Sequence, residues 1–255
     1  MLLCKKIAKT LFFLKKNSPF LKDIIPNDYV DIHSHLIPNI DDGSTCIEDT
    51  KTIVKELIGF GFNQFITTPH VMDHVWKNSK TGIEQKHART LKELKDAGFS
   101  NSFKVAAEYM LDDNFRNLIK EEKLLTIKNN YVLVEMSYLN PPLALFDILF
   151  ELQVAGYKPI LAHPERYNFY HSSLENYNKL KHAGCLFQIN LLSSVGYYGE
   201  NVAKTSDYLL KNNLIDFAGS DVHHLNHVAG FNKKIVLKNH EILKMVCQNN
   251  SIFES

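Results

Sequence analysis

The chain has 255 residues, of which 45% are hydrophobic and 22% charged, a composition typical of a soluble globular protein. Its length fits one large domain, because undivided α/β barrels commonly reach this size. Lys+Arg 29 against Asp+Glu 28 leaves a net charge of +1, which excludes the strong positive field that recruits nucleic acid. The four cysteines are scattered without a CxxC pair, which excludes a disulfide framework and is typical of the cytoplasm.

Residues 1–28 differ in composition from the rest of the chain and form a predicted N-terminal extension. Six lysines and two aspartates surround the short apolar run 11–14, which is too short for a membrane span or a secretory signal. We predict a short basic amphipathic helix that packs as a cap on the domain formed by residues 29–255. Peripheral contact of this extension with the anionic inner face of the membrane is the alternative interpretation.

From residue 29 onward, short apolar segments alternate with longer segments of helical periodicity. Seven segments are rich in Val, Ile, Phe or Ala, as buried parallel strands are: 29–33, 64–68, 103–108, 131–135, 158–162, 186–190 and 215–219. Four of the intervening segments end in a glycine shortly before the next strand: Gly61, Gly98, Gly156 and Gly184. This recurring order predicts a parallel α/β fold, and seven repeats favour a closed (β/α)7 barrel over an open sheet.

Side chains that can bind a metal follow six of the seven predicted strands. The first strand ends in DIHSH, which places His33 and His35 on one face of an extended segment, where both imidazoles can bind one cation. The other candidates, in chain order, are Asp42, His70, Glu108, Glu135, His163, Asp221 and His223. Because the loops after parallel barrel strands converge, we expect these groups to lie together. Burying them without cations would be costly, so the sequence predicts a metal centre.

The motifs DIHSH, DDG, TPH, AAEY, VLVEMSY, AHPERY and GSDVH, in this order, resemble those of the PHP (polymerase and histidinol phosphatase) superfamily. They are most similar to the bacterial capsule and exopolysaccharide tyrosine phosphatases of the CpsB/YwqE type, over about residues 29–230. The resemblance implies a distorted (β/α)7 TIM-like barrel that holds three divalent metals, usually Mn²⁺. It also implies hydrolysis of phosphotyrosine on a cognate bacterial tyrosine kinase that controls capsule or exopolysaccharide synthesis.

The resemblance assigns ligands to each of the three metals. One metal would lie among His33, His35, Glu108 and Asp221, a second among Glu108 as a bridge, Glu135 and His163, and a third among Asp42, His70 and His223. The mixture of imidazoles and carboxylates without thiolates fits Mn, Fe or Zn. Clustered metals lower the pKa of a bridging water, so that hydroxide can attack the phosphoryl group near neutral pH.

Arg166 is the candidate for binding the phosphate, because a guanidinium can contact two phosphoryl oxygens at once. The proton for the leaving phenolate could come from four groups, and the sequence does not choose among them: Asp221, His223, His224 and His227. The family places a second arginine after the SDxH motif, whereas the segment SDVHHLNHVAG contains none. Either a protonated histidine replaces that arginine, or phosphate binds more weakly here.

Two other functions stay open at this stage. A PHP phosphoesterase for a small metabolite, such as histidinol phosphate or a nucleotide, would share the metals, and a non-catalytic, metal-stabilised partner of a kinase would share the fold. A cysteine-dependent tyrosine phosphatase is excluded, because such enzymes need an arginine six residues after the nucleophile. The residues at that spacing are Thr10, Thr52, Leu191 and Phe253. The sequence does not determine the oligomeric state.

Overall fold

The computed structural model describes residues 18–121 and 124–254, which form a mixed α/β fold built on parallel strands. The strands in these ranges are β1 (Tyr29–Asp31), β2 (Phe62–Thr67), β3 (His70–Val71), β4 (Ser102–Val105), β5 (Glu108–Met110), β6 (Tyr131–Glu135), β7 (Lys158–Ala162), β8 (Leu186–Asn190) and β9 (Phe217–Gly219). The α-helices are α1 (Ile47–Gly59), α2 (Lys80–Asp96), α3 (Asp113–Lys120), α4 (Leu145–Val154), α5 (Glu175–His182), α6 (Glu200–Lys211), α7 (Leu225–Gly230) and α8 (His240–Asn249). The predicted parallel α/β class is confirmed.

The strands form two parallel sheets. One has the order β1-β2-β4, and the other has the order β3-β5-β6-β7-β8-β9. At the edge where β9 meets β1, Ser34 forms an isolated parallel bridge with Val222, and the N–H of His35 donates to the carbonyl of Val222 at 2.9 Å. These contacts join the two sheets just beyond the ends of β1 and β9, next to candidate ligands.

Each of the seven predicted strands has a counterpart, with differences at the ends. The predicted strand 103–108 is divided into β4 and β5, because the N–H of Ala106 bonds to Thr67 and that of Glu108 bonds to Pro69 instead of continuing one ladder. The short strand β3 was not predicted, and it pairs His70 with Glu108. This pairing brings two candidate ligands from different loops side by side.

Both faces of the strands are buried, which explains why the sequence shows continuous apolar segments. In β6, Val132 and Val134 belong to a large cluster that includes the inner faces of the helices. The residue between them, Leu133, belongs to a smaller cluster with Ile160 of β7 and Phe217 of β9. Because successive residues of a strand face opposite sides, this division covers each sheet on both faces.

The four predicted glycines end four of the helical segments. Gly61, Gly98, Gly156 and Gly184 have φ angles of 104°, 90°, 87° and 80°. This left-handed conformation favours glycine because a Cβ would be strained there. The turns lead the chain back to the next strand, so that successive strands run parallel and their carboxyl ends lie on the same side.

The predicted basic helix of residues 1–28 lies largely outside the described residues. Within the described part, Leu21–Ile24 form a 3-10 helix whose Leu21 and Ile24 are buried. The N–H of Leu21 donates to the carbonyl of Lys233 at 3.0 Å, which ties this segment to the domain. Among the described helices, none has the length and apolar character needed to cross a membrane. Membrane contact by residues 1–28 stays a prediction.

Candidate metal centre

The structure brings all nine predicted ligands together beyond the carboxyl ends of the strands. They form four groups in which the ligand atoms lie within 4.8 Å of one another: His35, Asp42, His70 and His223; His33, His35 and Glu108; His33, His163 and Asp221; His70, Glu108 and Glu135. Residues separated by most of the chain thus share one site, as expected where the loops of parallel strands converge.

The resemblance assigned one metal to His33, His35, Glu108 and Asp221, and these side chains have the spacing that a single cation requires. His33 Nε2 lies 3.2 Å from both Glu108 Oε2 and Asp221 Oδ1, and His35 Nε2 lies 3.4 Å from the same two atoms. The two Nε2 atoms are 3.3 Å apart. Ligands about 2.1 Å from a tetrahedral cation are separated from one another by about 3.4 Å. The four side chains therefore fit around one divalent ion.

Hydrogen bonds fix which nitrogen of each histidine faces the centre. His33 Nδ1 donates to Gln188 Oε1 at 2.7 Å, and His35 Nδ1 donates to Asp41 Oδ2 at 2.8 Å. His223 Nδ1 donates at 2.9 Å to the backbone carbonyl two residues before it. Each bond leaves Nε2 free to bind a cation, which is how metal-binding histidines are commonly oriented. Gln188 and Asp41 were not among the predicted site residues, although a glutamine within an apolar strand is a recognisable signal.

His70 lies between two of the groups. Its Nδ1 is 2.8 Å from Glu135 Oε1 and 3.2 Å from Glu108 Oε2, while its Nε2 is 3.4 Å from Asp42 Oδ1. His163 Nε2 lies 3.1 Å from Glu108 Oε1. The resemblance grouped Glu135 with Glu108 and His163, and the structure adds His70 Nδ1 to that neighbourhood.

Three of these buried atoms make no well-aligned hydrogen bond: His70 Nδ1, Glu108 Oε2 and Glu135 Oε1. They face one another at the short distances of an ion pair but without the alignment of a donor and an acceptor. Buried polar atoms without a partner are costly, and a shared cation would satisfy all three. The residues present therefore fit divalent metal ions.

Opposing charges perturb the protonation of the centre. Burial would lower the pKa of His33, but the carboxylates of Glu108 and Asp221 raise it to about 10. Burial would likewise raise the pKa of Glu108, but His33 holds it well below its usual range. Burial and then the charge of Arg166 lower the pKa of His163 to about 4. A cation that binds His33 must therefore displace its proton, whereas His163 is already unprotonated near neutral pH.

The predicted catalytic residues differ in position. Asp221, His223 and Arg166 line a pocket of about 500 Å³, whereas His227 is not among the described residues that line it. His227 Nδ1 accepts a hydrogen bond of 3.2 Å from the backbone N–H of His223. His227 therefore contacts the loop that carries His223.

Aromatic and apolar side chains form much of the pocket wall. Met72, Val75 and Trp76 come from a tight turn closed by two backbone hydrogen bonds of 2.9 Å between Met72 and Trp76. Met136 and Tyr138, which follow β6, also line the pocket. A pocket that combines apolar walls with a cluster of metal-binding groups can hold an aromatic ring next to a phosphate.

A parallel α/β fold with clustered histidines and carboxylates at the strand ends is typical of metal-dependent hydrolases. Residues 29–235 match the family model described as capsular polysaccharide synthesis, CpsB/CapC, and the chain belongs to this family. The family that the motifs predicted is thereby confirmed.

Known proteins that resemble the chain support this assignment. The tyrosine-protein phosphatase YwqE of Bacillus subtilis (strain 168) is 26% identical over 197 residues, which span 77% of this chain and 78% of YwqE. A crystal structure from work on YwqE from Bacillus subtilis and CpsB from Streptococcus pneumoniae, described there as unique metal-dependent tyrosine phosphatases, has a TM-score of 0.78. The identity is 24%, and the match covers 88% of this chain and 93% of that one.

A second solved structure shares the fold at greater distance. Histidinol phosphate phosphatase from Lactococcus lactis, solved with zinc, L-histidinol and phosphate, has a TM-score of 0.55 and 15% identity. The match covers 86% of this chain and 94% of that one.

Proposed function

We propose that this chain is a metal-dependent tyrosine-protein phosphatase that acts on a bacterial tyrosine kinase controlling capsular or exopolysaccharide synthesis. The observation that carries the proposal is one pocket in which Arg166, six of the nine candidate metal ligands and the aromatic wall of Trp76 and Tyr138 meet. Membership of the CpsB/CapC family and the similarity to YwqE support the same activity.

The centre would hold three divalent ions, of which Mn²⁺ is the proposed metal, with Fe and Zn as alternatives. The nine ligands proposed from the sequence are the nine that the structure groups together. When bound, such ions supply positive charge for the phosphoryl oxygens and lower the pKa of water beside the phosphorus atom.

Arg166 and the apolar wall would bind the two ends of phosphotyrosine. Arg166 uses Nη1 to donate to Asp221 Oδ2 at 2.8 Å, and its remaining N–H groups are the proposed donors to phosphoryl oxygens. Trp76 and Tyr138 would contact the phenyl ring and exclude water from it. Asp221 and His223 line the pocket, where each is also a proposed metal ligand, so neither holds a proton for the leaving oxygen.

The described cysteines support a mechanism without a cysteine nucleophile. Cys185 and Cys247 are buried, and burial raises the pKa of each thiol to about 12. A nucleophilic cysteine must be a thiolate near neutral pH. Cys46 is partly buried and is followed six residues later by Thr52 on α1, where a phosphate-binding arginine would be required.

We also infer that the two sheets form one distorted (β/α)7 barrel. β4 and β5 together correspond to one predicted strand, and each contributes to a different sheet. On the other side, the bridge between Ser34 and Val222 joins β1 to β9, and the hydroxyl of Tyr29 donates to the carbonyl of Ala218 at 2.8 Å. These two connections support a closed ring of seven strand positions.

The proposed function is tested with a phosphotyrosyl peptide, a phosphoseryl peptide of the same sequence, and histidinol phosphate. We expect the phosphotyrosyl peptide to have the highest kcat/KM, hydrolysis to stop after chelation, and Mn²⁺ to restore it best. Activity that survives exhaustive chelation would disprove the metal mechanism. A preference for histidinol phosphate would replace the proposed substrate with a small metabolite.

A further inference from the structure

The guanidinium of Arg166 lies over the rings of two tyrosines. Its central carbon is 4.1 Å from the centroid of the Tyr198 ring and 4.9 Å from that of the Tyr138 ring. In addition, Nη1 donates to Asp221 Oδ2 at 2.8 Å, and the side chain is 20% exposed. These contacts involve two aromatic rings and one N–H donor of the guanidinium, so its other N–H groups are the donors left for a ligand.

Tyr198 is itself held by a fully buried amide. Asn190 Nδ2 donates to the hydroxyl of Tyr198 at 3.1 Å and to Asp221 Oδ2 at 2.8 Å. Asn190 Oδ1 accepts from the backbone N–H of Leu192 at 2.8 Å, so its amide uses both hydrogens and its oxygen. One rigid amide at the end of β8 thus connects the tyrosine and the carboxylate that contact Arg166.

We propose that Tyr198, anchored by Asn190, is a positioning residue that fixes the plane of the Arg166 guanidinium for phosphate binding. The inference rests on the proposed function, in which Arg166 contacts the phosphoryl group. An arginine side chain rotates about several bonds, and bidentate binding of two oxygens requires the guanidinium plane to be aligned with them. The ring of Tyr198 lies 4.1 Å from the central carbon of Arg166, and this cation–π contact restricts the orientations that the guanidinium can adopt.

The first test compares substitutions of Tyr198 in the metal-loaded protein. Tyr198→Leu should lower kcat/KM for the phosphotyrosyl peptide roughly tenfold and weaken competitive inhibition by inorganic phosphate by a similar factor. Tyr198→Phe keeps the ring and should cost roughly threefold or less. Tyr208→Leu, which removes a half-buried tyrosine from α6, is the matched control and should leave both constants unchanged. If Tyr198→Leu does not fold, Tyr198→Met replaces it.

The decisive measurement is the effect of Tyr198→Leu on the same two constants in a protein that already carries Arg166→Ala. If Tyr198 acts through Arg166, Tyr198→Leu should have almost no further effect there, because the group that it positions is absent. An equal loss in both backgrounds, or any change in metal content on Tyr198→Leu, would overturn the proposal and assign Tyr198 a general structural role.

The two proposals fail in different ways. A wild-type protein that does not hydrolyse the phosphotyrosyl peptide contradicts the proposed function alone. In that case, calorimetric titration of inorganic phosphate still decides the role of Tyr198. The four metal-loaded proteins to compare are the wild type, Tyr198→Leu, Arg166→Ala and the double variant. We expect non-additive losses of phosphate affinity, and additive losses would reject the positioning role.

Discussion

Arg166 contacts the candidate metal centre through Asp221 and also borders the pocket. If it binds phosphate without binding metal, Arg166→Ala should lower kcat/KM for phosphotyrosyl peptides by about 10² to 10³, the loss expected for one preorganised charged donor. Metal content, measured by mass spectrometry, should stay unchanged. The control is Arg116→Ala, which removes a surface arginine paired with Glu151 and should leave both kcat/KM and metal content unchanged. Loss of metal from Arg166→Ala would show that the residue maintains the centre.

Asp41 illustrates a residue whose role depends on its neighbours in space. Its Oδ2 accepts from His35 Nδ1 at 2.8 Å and from the backbone N–H of His70 at 3.1 Å. Asp41→Asn should lower Mn²⁺ affinity by about 10- to 100-fold, because the neutral amide orients and polarises the imidazole less strongly. Titration with Mn²⁺ measures this effect, with the surface substitution Asp49→Asn on α1 as the control. Unchanged affinity would mean that Asp41 serves only to shape the loop.

Strand β8 shows how one element serves both the core and the centre. Its alternate residues Phe187 and Ile189 belong to the main apolar cluster. Gln188 and Asn190 are buried on the opposite face, where they contact His33 and Asp221. This strand corresponds to the predicted strand that lacked a candidate ligand, and its contribution is two amides that orient ligands of other strands.

The end of α1 offers a matched pair of glycines. Gly61 has a φ of 104°, and a Cβ at this position would lie 2.9 Å from the carbonyl oxygen of Pro26. Gly61→Ala should therefore lower the free energy of unfolding by at least about 1 to 2 kcal/mol. Gly59, at the last position of α1, has open space around its Cβ position, and Gly59→Ala should raise that free energy by about 0.5 to 1 kcal/mol. Urea unfolding of both variants measures the two changes, and equal effects would contradict the assigned backbone conformations.

For the molecule as a whole, metal binding should depend on pH. In the metal-free chain, the carboxylates of Glu108 and Asp221 raise the pKa of His33 to about 10 against the opposing effect of burial. A pKa above its ordinary value means that His33 holds its proton at pH 7, and a cation must displace that proton. Mn²⁺ affinity should therefore rise from pH 6 to pH 8. Calorimetry at pH 7 in two buffers with different ionisation enthalpies should detect proton release, and equal heats would contradict this.

Much of the fold could be predicted from the sequence, because the patterns that indicate it are local in the chain. Strands buried on both faces require continuous apolar segments, and chain reversals with positive φ favour glycine, as Gly61 and Gly98 show. The candidate ligands could be predicted for a related reason: histidines and carboxylates directly follow apolar segments of the sequence. The division of one strand into β4 and β5 could not be predicted, because it depends on the hydrogen bonds that Ala106 and Glu108 make with Thr67 and Pro69, which are distant in sequence.

The sequence by itself determined the family, the parallel α/β class and the set of candidate ligands, since these follow from motifs and from periodicity along the chain. Only the tertiary structure decided which atoms face one another. The imidazole of His33 is oriented by Gln188, which is 155 residues away in the chain. Arg166 contacts the rings of Tyr138 and Tyr198, which come from loops after different strands. No local pattern encodes such contacts, because they arise where separate loops converge at one end of the sheet.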